Sequence, residues 1–203
     1  MAEYEAVLAL DRNWVGAMFA IGWCKFYTGS IEEMIPALEQ IIRLSPRDPY
    51  IGSCYSRIGA AQLLLSRIEE AIVWLEKART AIPFRPFPRI CLAAAYGLKG
   101  DTECAKAELA EAQRLSPDGR YSSIARLKEV GYFGLPKTCA LFDATFFPGL
   151  RLAGMPEAEP RAPLRRRNRL ISLATWLTWP QLGAGDEIWD FLRTAIATAL
   201  EAG

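Results

Sequence analysis

The chain has 203 residues, 51% of them hydrophobic and 23% charged, and a formal net charge of +1, the profile of a folding chain with no global pull toward nucleic acid or acidic membranes. It contains no histidine, which removes the commonest general base, the Ser-His and Cys-His nucleophile pairs and the usual zinc ligands. Five cysteines, at 24, 54, 91, 104 and 139, form no Cys-x-x-Cys pair and read as buried small hydrophobes in a reducing compartment, not as a disulfide framework or a metal site.

The chain opens with Glu3 and Glu5, where an export signal would need positive charge. Its longest uncharged stretch, 170–185, contains Pro180 and falls short of the roughly 20 apolar residues a spanning helix needs. The expectation is a cytoplasmic protein. "YEAVLALDRN" (4–13) reads as the second helix of a helical pair whose first helix is missing. That makes the chain resemble the C-terminal portion, or a truncated copy, of something longer.

Three helix-spaced runs then end alike, on Pro46, Pro83 and Pro117, 37 and 34 residues apart, and Gly29, Ser66 and Gly100 keep the same two intervals. Between those markers the first unit carries Met18, Ile21, Gly22, Met34, Leu38 and Ile41. The second has Tyr55, Ile58, Gly59, Ala71, Leu75 and Ala78, and the third Leu92, Ala93, Tyr96, Ala105, Leu109 and Ala112. Small residues at 22, 59 and 93 suit a close crossing of two antiparallel helices, which a large side chain would force apart. The leucines at 38, 75 and 109 fill the space between helices. Each proline lacks an N–H and clashes with the preceding turn, so the second helix stops there.

This spacing resembles the tetratricopeptide repeat (TPR) family over roughly residues 13–117. It implies an all-α, right-handed TPR solenoid with units at 13–46, 47–83 and 84–117, a half unit at 1–12 and a degenerate unit at 118–135. Ser30 with Glu33 forms a capping-box pattern, and Asp101 is an N-cap candidate at the equivalent place. Met34 and Ile41 replace small residues, so the first unit should pack more loosely or at a shifted angle. Pro36 should kink its helix. The three extra residues before Pro83 are expected in the loop "RDPYIGS".

"RYSSIARLKEVGYFGLP" (120–136) begins like a further first helix with no second half. A closing segment follows at 136–157, and "FPGLRLAGMPE" (147–157) within it is similar to the end of TPR tails in bacterial class III adenylate/guanylate cyclases. The joints "RLSPRDP" and "RLSPDG" are similar to joints in the same tails. The resemblance implies a nucleotide-cyclase domain upstream and a sensing or docking role for the repeats. Related tails also stand behind transcription regulators. No Gly-rich phosphate loop or strand-borne pair of aspartates occurs in this chain, so no catalytic residue, cofactor or metal is assigned.

Beyond it, 158–185 is an arginine-rich linker and apolar stretch, with Arg161, Arg165, Arg166, Arg167 and Arg169 ahead of Trp176 and Trp179. Residues 186–203 form an amphipathic pattern with Ile188, Leu192, Ile196 and Leu200 every four residues. The arginines could hold a membrane surface or nucleic acid, against the simpler reading of a solvated linker.

In a TPR array the groove-lining positions of the first helices fall on Phe19, Trp23, Phe26 and Tyr27, on Leu63 and Leu64, and on Phe87, Ile90 and Leu98. They describe an apolar trough able to take a protein segment. A bare apolar patch of that size is rare on a soluble protein, which favours internal filling, by 186–202 or by an upstream domain. Trp14, Trp23 and Trp74 are expected in inter-helix packing. Cys139 and Asp143 stand one turn apart but lack a base, so catalysis is not expected of them. The function expected is protein–protein interaction. A cyclase enzyme with its catalytic domain upstream, or the tail of a transcription regulator or membrane-surface adaptor, are the alternatives.

Overall fold

Eleven consecutive helical segments make up the described part of the chain. A computed structural model describes residues 2–131 and 133–158, which lie in one compact unit, Met1–Ala162. The helices are α1 (Ala2–Leu10), α2 (Val15–Thr28), α3 (Ile31–Leu44), α4 (Ile51–Leu64), α5 (Ile68–Ala81), α6 (Pro86–Lys99) and α7 (Thr102–Arg114). After them come α8 (Ile124–Val130), α9 (Pro136–Leu141), a π-helical turn (Phe142–Phe146) and α10 (Phe147–Leu152). No strand occurs among the described residues. The pattern at 186–203, the arginines from 161 to 169, Trp176 and Trp179 lie outside them.

Helices α2 and α3, α4 and α5, and α6 and α7 pack as three successive hairpins, and each hairpin stacks on the next through α3 against α4 and α5 against α6. The small residues are at the crossings. A Cβ placed on Gly59 would stand 2.5 Å from Leu75 Cγ, so only glycine lets α4 and α5 approach this closely. On Gly22 it would meet Leu38 Cδ2 at 3.3 Å and Met34 Cγ at 3.4 Å. The first hairpin is thus the more open of the two at this position, as expected from Met34. Ala71, Ala78, Ala93, Ala105 and Ala112 are fully enclosed.

Each hairpin turn needs one left-handed residue. Gly29 (φ 87°) and Gly100 (φ 88°) serve after α2 and α6, while the second turn uses Ser66 (φ 61°). The turn between α4 and α5 holds three residues, 65–67, against two in each of the others. The connection 45–50 before α4 has six residues against four at 82–85 before α6. The extra length expected wholly in one loop is therefore divided between a loop and a turn.

Several local expectations change. The Ser30 side chain makes no cap bond; Glu33 Oε2 instead accepts from Lys25 Nζ at 2.9 Å, tying α3 to the end of α2. Asp101 does cap α7, its Oδ1 accepting from the Cys104 backbone N–H at 3.1 Å. Helix α3 runs on past Pro36, which lies at an exposed position. Cys54 and Cys91 are buried, but Cys104 is exposed, correcting the expectation that all five thiols are interior. Trp14, expected to pack between helices, is 42% exposed at the start of α2.

A polar network stitches the second hairpin to the third. Glu108 on α7, buried, accepts from Arg89 Nη1 on α6 at 3.0 Å and is also paired with Arg79 on α5. Arg79 in turn lies 3.6 Å from Glu76, whose Oε1 accepts from the Tyr96 hydroxyl at 2.8 Å. Burial and the Glu76 carboxylate push the Tyr96 hydroxyl well above the ordinary tyrosine range.

The closed concave face and the aromatic row at its mouth

Among the first helices of the hairpins α4 packs on α6, and a later segment of the chain is laid against α2, α4 and α6. Residues 136–152 run as one interrupted helix, with α9 against α2, the π-turn against α4 and α6, and α10 along α6. Pro148 explains the interruption. It has no N–H to bond back one turn, and the helix absorbs the gap by widening to i→i+5 bonding immediately upstream, where the Phe147 N–H donates to the Phe142 carbonyl.

That widening brings aromatic side chains together. Phe133 lies 4.7 Å from Phe142 and 5.3 Å from Phe147, and Phe142 is edge-on to Phe146 at 5.3 Å. Phe142 also reaches Phe26 of α2, edge-on at 6.2 Å. Further along, α10 meets α6 without side chains between them. A Cβ on Gly149 would fall 2.3 Å from the Ala94 carbonyl oxygen, and one on Gly97 2.3 Å from that of Gly149.

Both ends of the segment are fastened. The Leu135 N–H donates to the Tyr27 carbonyl at 2.9 Å, and the Thr138 hydroxyl to the carbonyls of Tyr27 and Phe26 at 3.0 and 3.3 Å. These bonds use the orphan carbonyls at the end of α2. At the other end Gly154 (φ 93°) turns the chain, with the Met155 N–H donating to Leu150 O and the Gly154 N–H to Arg151 O, a Schellman closure. The carbonyls of Pro156 and Glu157 then accept the Ile124 and Ala125 N–H groups, capping α8. Arg151 pairs with Glu157. The motif at 147–157 thus has a structural account: each of Pro148, Gly149, Leu150, Gly154 and Met155 serves the closure.

Residues 15–48 match the tetratricopeptide repeat family. The match covers the α2–α3 hairpin, and with the hairpin packing it makes the described region an all-α TPR solenoid that ends in an irregular helical segment. No curated protein matches the chain.

The expected trough residues separate into two sets on this array. Phe26, Leu63, Leu64 and Ile90, named as groove positions that a partner could contact or the chain could fill internally, are buried in the core. Residues 136–157 cover them, and the 186–202 stretch named as a candidate lies outside the described residues. Phe19, Trp23, Tyr27, Phe87 and Leu98 remain partly accessible. Three of them form a row with Tyr50 toward the N-terminal end, with Phe19–Tyr50 at 5.9 Å, Phe19–Trp23 at 6.1 Å and Trp23–Tyr27 at 5.4 Å.

Arg57 of α4, which spacing did not single out, is the centre of that row. Its guanidinium carbon stands 3.8 Å from the Trp23 ring centroid, 5.0 Å from that of Phe87 and 5.2 Å from that of Phe26, so one cation touches α2, α4 and α6 together. Stacking occupies the faces of the guanidinium and leaves its N–H edge for an acceptor. Among the described residues no carboxylate is paired with it. The only sequence signal was an arginine inside an otherwise neutral helix, "GSCYSRIGAAQLL" (52–64).

The remaining candidates each have packing or pairing partners within the fold. The Cys139 thiol donates to the Gly134 carbonyl at 3.4 Å and is pushed above the ordinary thiol range, first by burial and then by Asp143. Asp143 itself pairs with Lys128 at 2.5 Å. Trp74 packs on Tyr55 at 5.8 Å and carries Lys77 over its ring at 4.4 Å. Among the described residues no group of three His, Cys, Asp or Glu is placed to hold a metal ion, and no helix is long and apolar enough to cross a membrane.

Proposed function

We propose that this chain is a protein–protein interaction scaffold whose recognition surface is the aromatic row Phe19, Trp23, Tyr27, Tyr50 and Phe87 around Arg57. The observation that carries the reading is the cation itself. A guanidinium ringed by three aromatic groups, with no carboxylate beside it among the described residues, suits a partner segment that brings an acidic group flanked by apolar side chains. Leu98 sits at the far end of α6, partly buried against the core, and is not part of the row.

In context, the chain acts as the regulatory C-terminal region of a cyclase-type signalling protein. The similarity of 147–157 to the ends of cyclase tails supports this. The cyclase would be supplied by sequence outside this chain.

A photoreactive residue placed at Phe19 or Tyr50 tests the surface in cells of the source organism. Both positions should crosslink to one and the same protein, whereas the same residue at Val73 or Thr80, exposed on α5, should not. Equal labelling from all four sites would overturn the assignment. If the crosslinked protein is unrelated to nucleotide cyclisation, the cyclase context fails while the surface stands.

A further inference from the structure

We propose that the edge of the array formed by the connections between hairpins rests on an anionic lipid bilayer, with single apolar side chains entering the interface and arginines meeting the headgroups. The inference goes beyond the scaffold reading and uses the ends of the helices, not the Arg57 guanidinium.

Chain direction creates the edge. Successive helices run antiparallel, so the connections 11–14, 45–50 and 82–85 fall on one side of the array and the hairpin turns 29–30, 65–67 and 100–101 on the other. Neighbouring connections adjoin: the Tyr50 ring lies 5.9 Å from Phe19 near the start of α2, and a Cβ on Gly52 would stand 2.6 Å from Ile82 Cγ2.

The two edges differ in kind. Five large hydrophobic side chains exposed among the described residues, Leu10, Trp14, Leu44, Tyr50 and Phe84, sit on or beside the connections, and the turns carry none. Leu10 is 91% and Phe84 79% exposed. The turn edge instead begins its helices with glutamates, such as Glu32, Glu69 and Glu103, while the second helices end at the connection edge on Arg43, Arg79 and Arg114. Arg79 and Arg114 are paired within the fold. Exposed Arg12, Arg43 and Arg47 have no carboxylate partner among the described residues.

Arginines at helix ends would by themselves complement the helix dipoles, but that leaves Leu10, Leu44 and Phe84 in water without an account. These three stand on separate connections, each within two residues of an arginine, Arg12, Arg43 and Arg85. A folded partner would favour one continuous apolar patch, and phosphate contacts to a nucleic acid would need no leucine. A bilayer interface accepts separate apolar wedges and attracts the cations beside them. The net charge of +1 supplies no global attraction, so binding should need both parts of the edge.

The test mixes the full-length chain with phosphatidylcholine vesicles that contain, or lack, about one-third phosphatidylglycerol. The chain should partition at least tenfold more strongly onto the anionic vesicles, and less so as salt rises. Leu10→Ser with Phe84→Ser should weaken that partitioning at least tenfold at unchanged helicity. So should the combination of Arg12→Gln, Arg43→Gln and Arg47→Gln, whereas Val73→Ser, an exposed apolar change away from the edge, should not. Brominated acyl chains should quench tryptophan fluorescence, and Trp14→Phe should remove part of that quenching. If an edge variant loses helicity, the Trp14→Phe difference decides, and quenching it leaves unchanged overturns the proposal.

No partitioning at all overturns it too. So does partitioning that ignores both edge variants but vanishes when Arg165, Arg166 and Arg167 become alanine. Duplex DNA bound in place of vesicles, with loss on the arginine changes alone, would assign the edge to nucleic acid and equally overturn it. None of these substitutions touches the Arg57 row, so either surface can fail alone.

Discussion

Gly97 and Gly149 meet backbone to backbone, with room for no side chain on either: a Cβ on Gly97 would stand 2.3 Å from the Gly149 carbonyl oxygen and 3.2 Å from the Ala153 nitrogen. Both obstacles are main chain and cannot swing aside. Gly97→Ala should therefore destabilise the fold by about 2 kcal/mol despite alanine's better helix propensity. Urea denaturation measures the loss, and limited proteolysis should show faster cleavage near 131–135.

Gly22 provides the matched contrast. Its neighbours are the flexible ends of Leu38 and Met34 at 3.3 and 3.4 Å, which can yield a few tenths of an ångström. Gly22→Ala should fall between neutral and about 0.5 kcal/mol stabilising, since helix propensity is the larger effect. A loss near that of Gly97→Ala would show that the first hairpin is packed as tightly as the rest.

Ser66 holds a left-handed backbone conformation (φ 61°) where the equivalent turns use glycine. An L-residue loses roughly 1 kcal/mol there. Ser66→Gly should stabilise the protein by up to about 1 kcal/mol, offset in part by the greater freedom of glycine in the unfolded chain. Gly100→Ala should cost about the same. Thermal unfolding midpoints moving in opposite directions are the check.

Glu108 is buried between Arg79 and Arg89. Glu108→Leu leaves two guanidinium groups facing an apolar side chain, and should cost about 2 kcal/mol because both arginines keep partial access to water. A double-mutant cycle with Arg89→Leu should recover part of that loss, which independent residues would not show.

The pH profile follows from the missing histidines and the buried thiols. Burial pushes Cys54 and Cys91 up to about 12, above their unfolded values near 9. For an acid raised on folding, stability is fully present below the unfolded pKa and is lost as pH rises toward the folded one. Stability should thus be level from about pH 5.5 to 8, apart from the chain terminus, and decline above about pH 9. The Cys54→Ala, Cys91→Ala double variant should show a shallower alkaline decline. A thiol reagent at pH 8 should label exposed Cys104 first and Cys54 and Cys91 last.

Much of the fold was legible in linear spacing because a repeat writes the same packing problem several times. Gly22, Gly59 and Ala93 recur at the points where helices cross, and Pro46, Pro83 and Pro117 follow where they stop; backbone sterics read the same at each. Asp101 was readable for the same reason, since a cap acts within three residues. Ser30 with Glu33 was not, because Lys25 competes for Glu33 from across the turn.

The site followed different physics. Groove positions could be numbered from the repeat, yet whether Phe26 or Trp23 meets solvent depends on what lies over it. That covering comes from residues more than a hundred positions away, as when Thr138 donates to the carbonyls of Phe26 and Tyr27. Arg57 obeys the same physics, since its surroundings are rings contributed by two other helices. Local steric rules and periodic burial are properties of a chain segment, so residue order alone established the hairpins and their ends. Which apolar face stays open is a property of the assembled surface, and it was settled where Gly149 came to rest against Ala94.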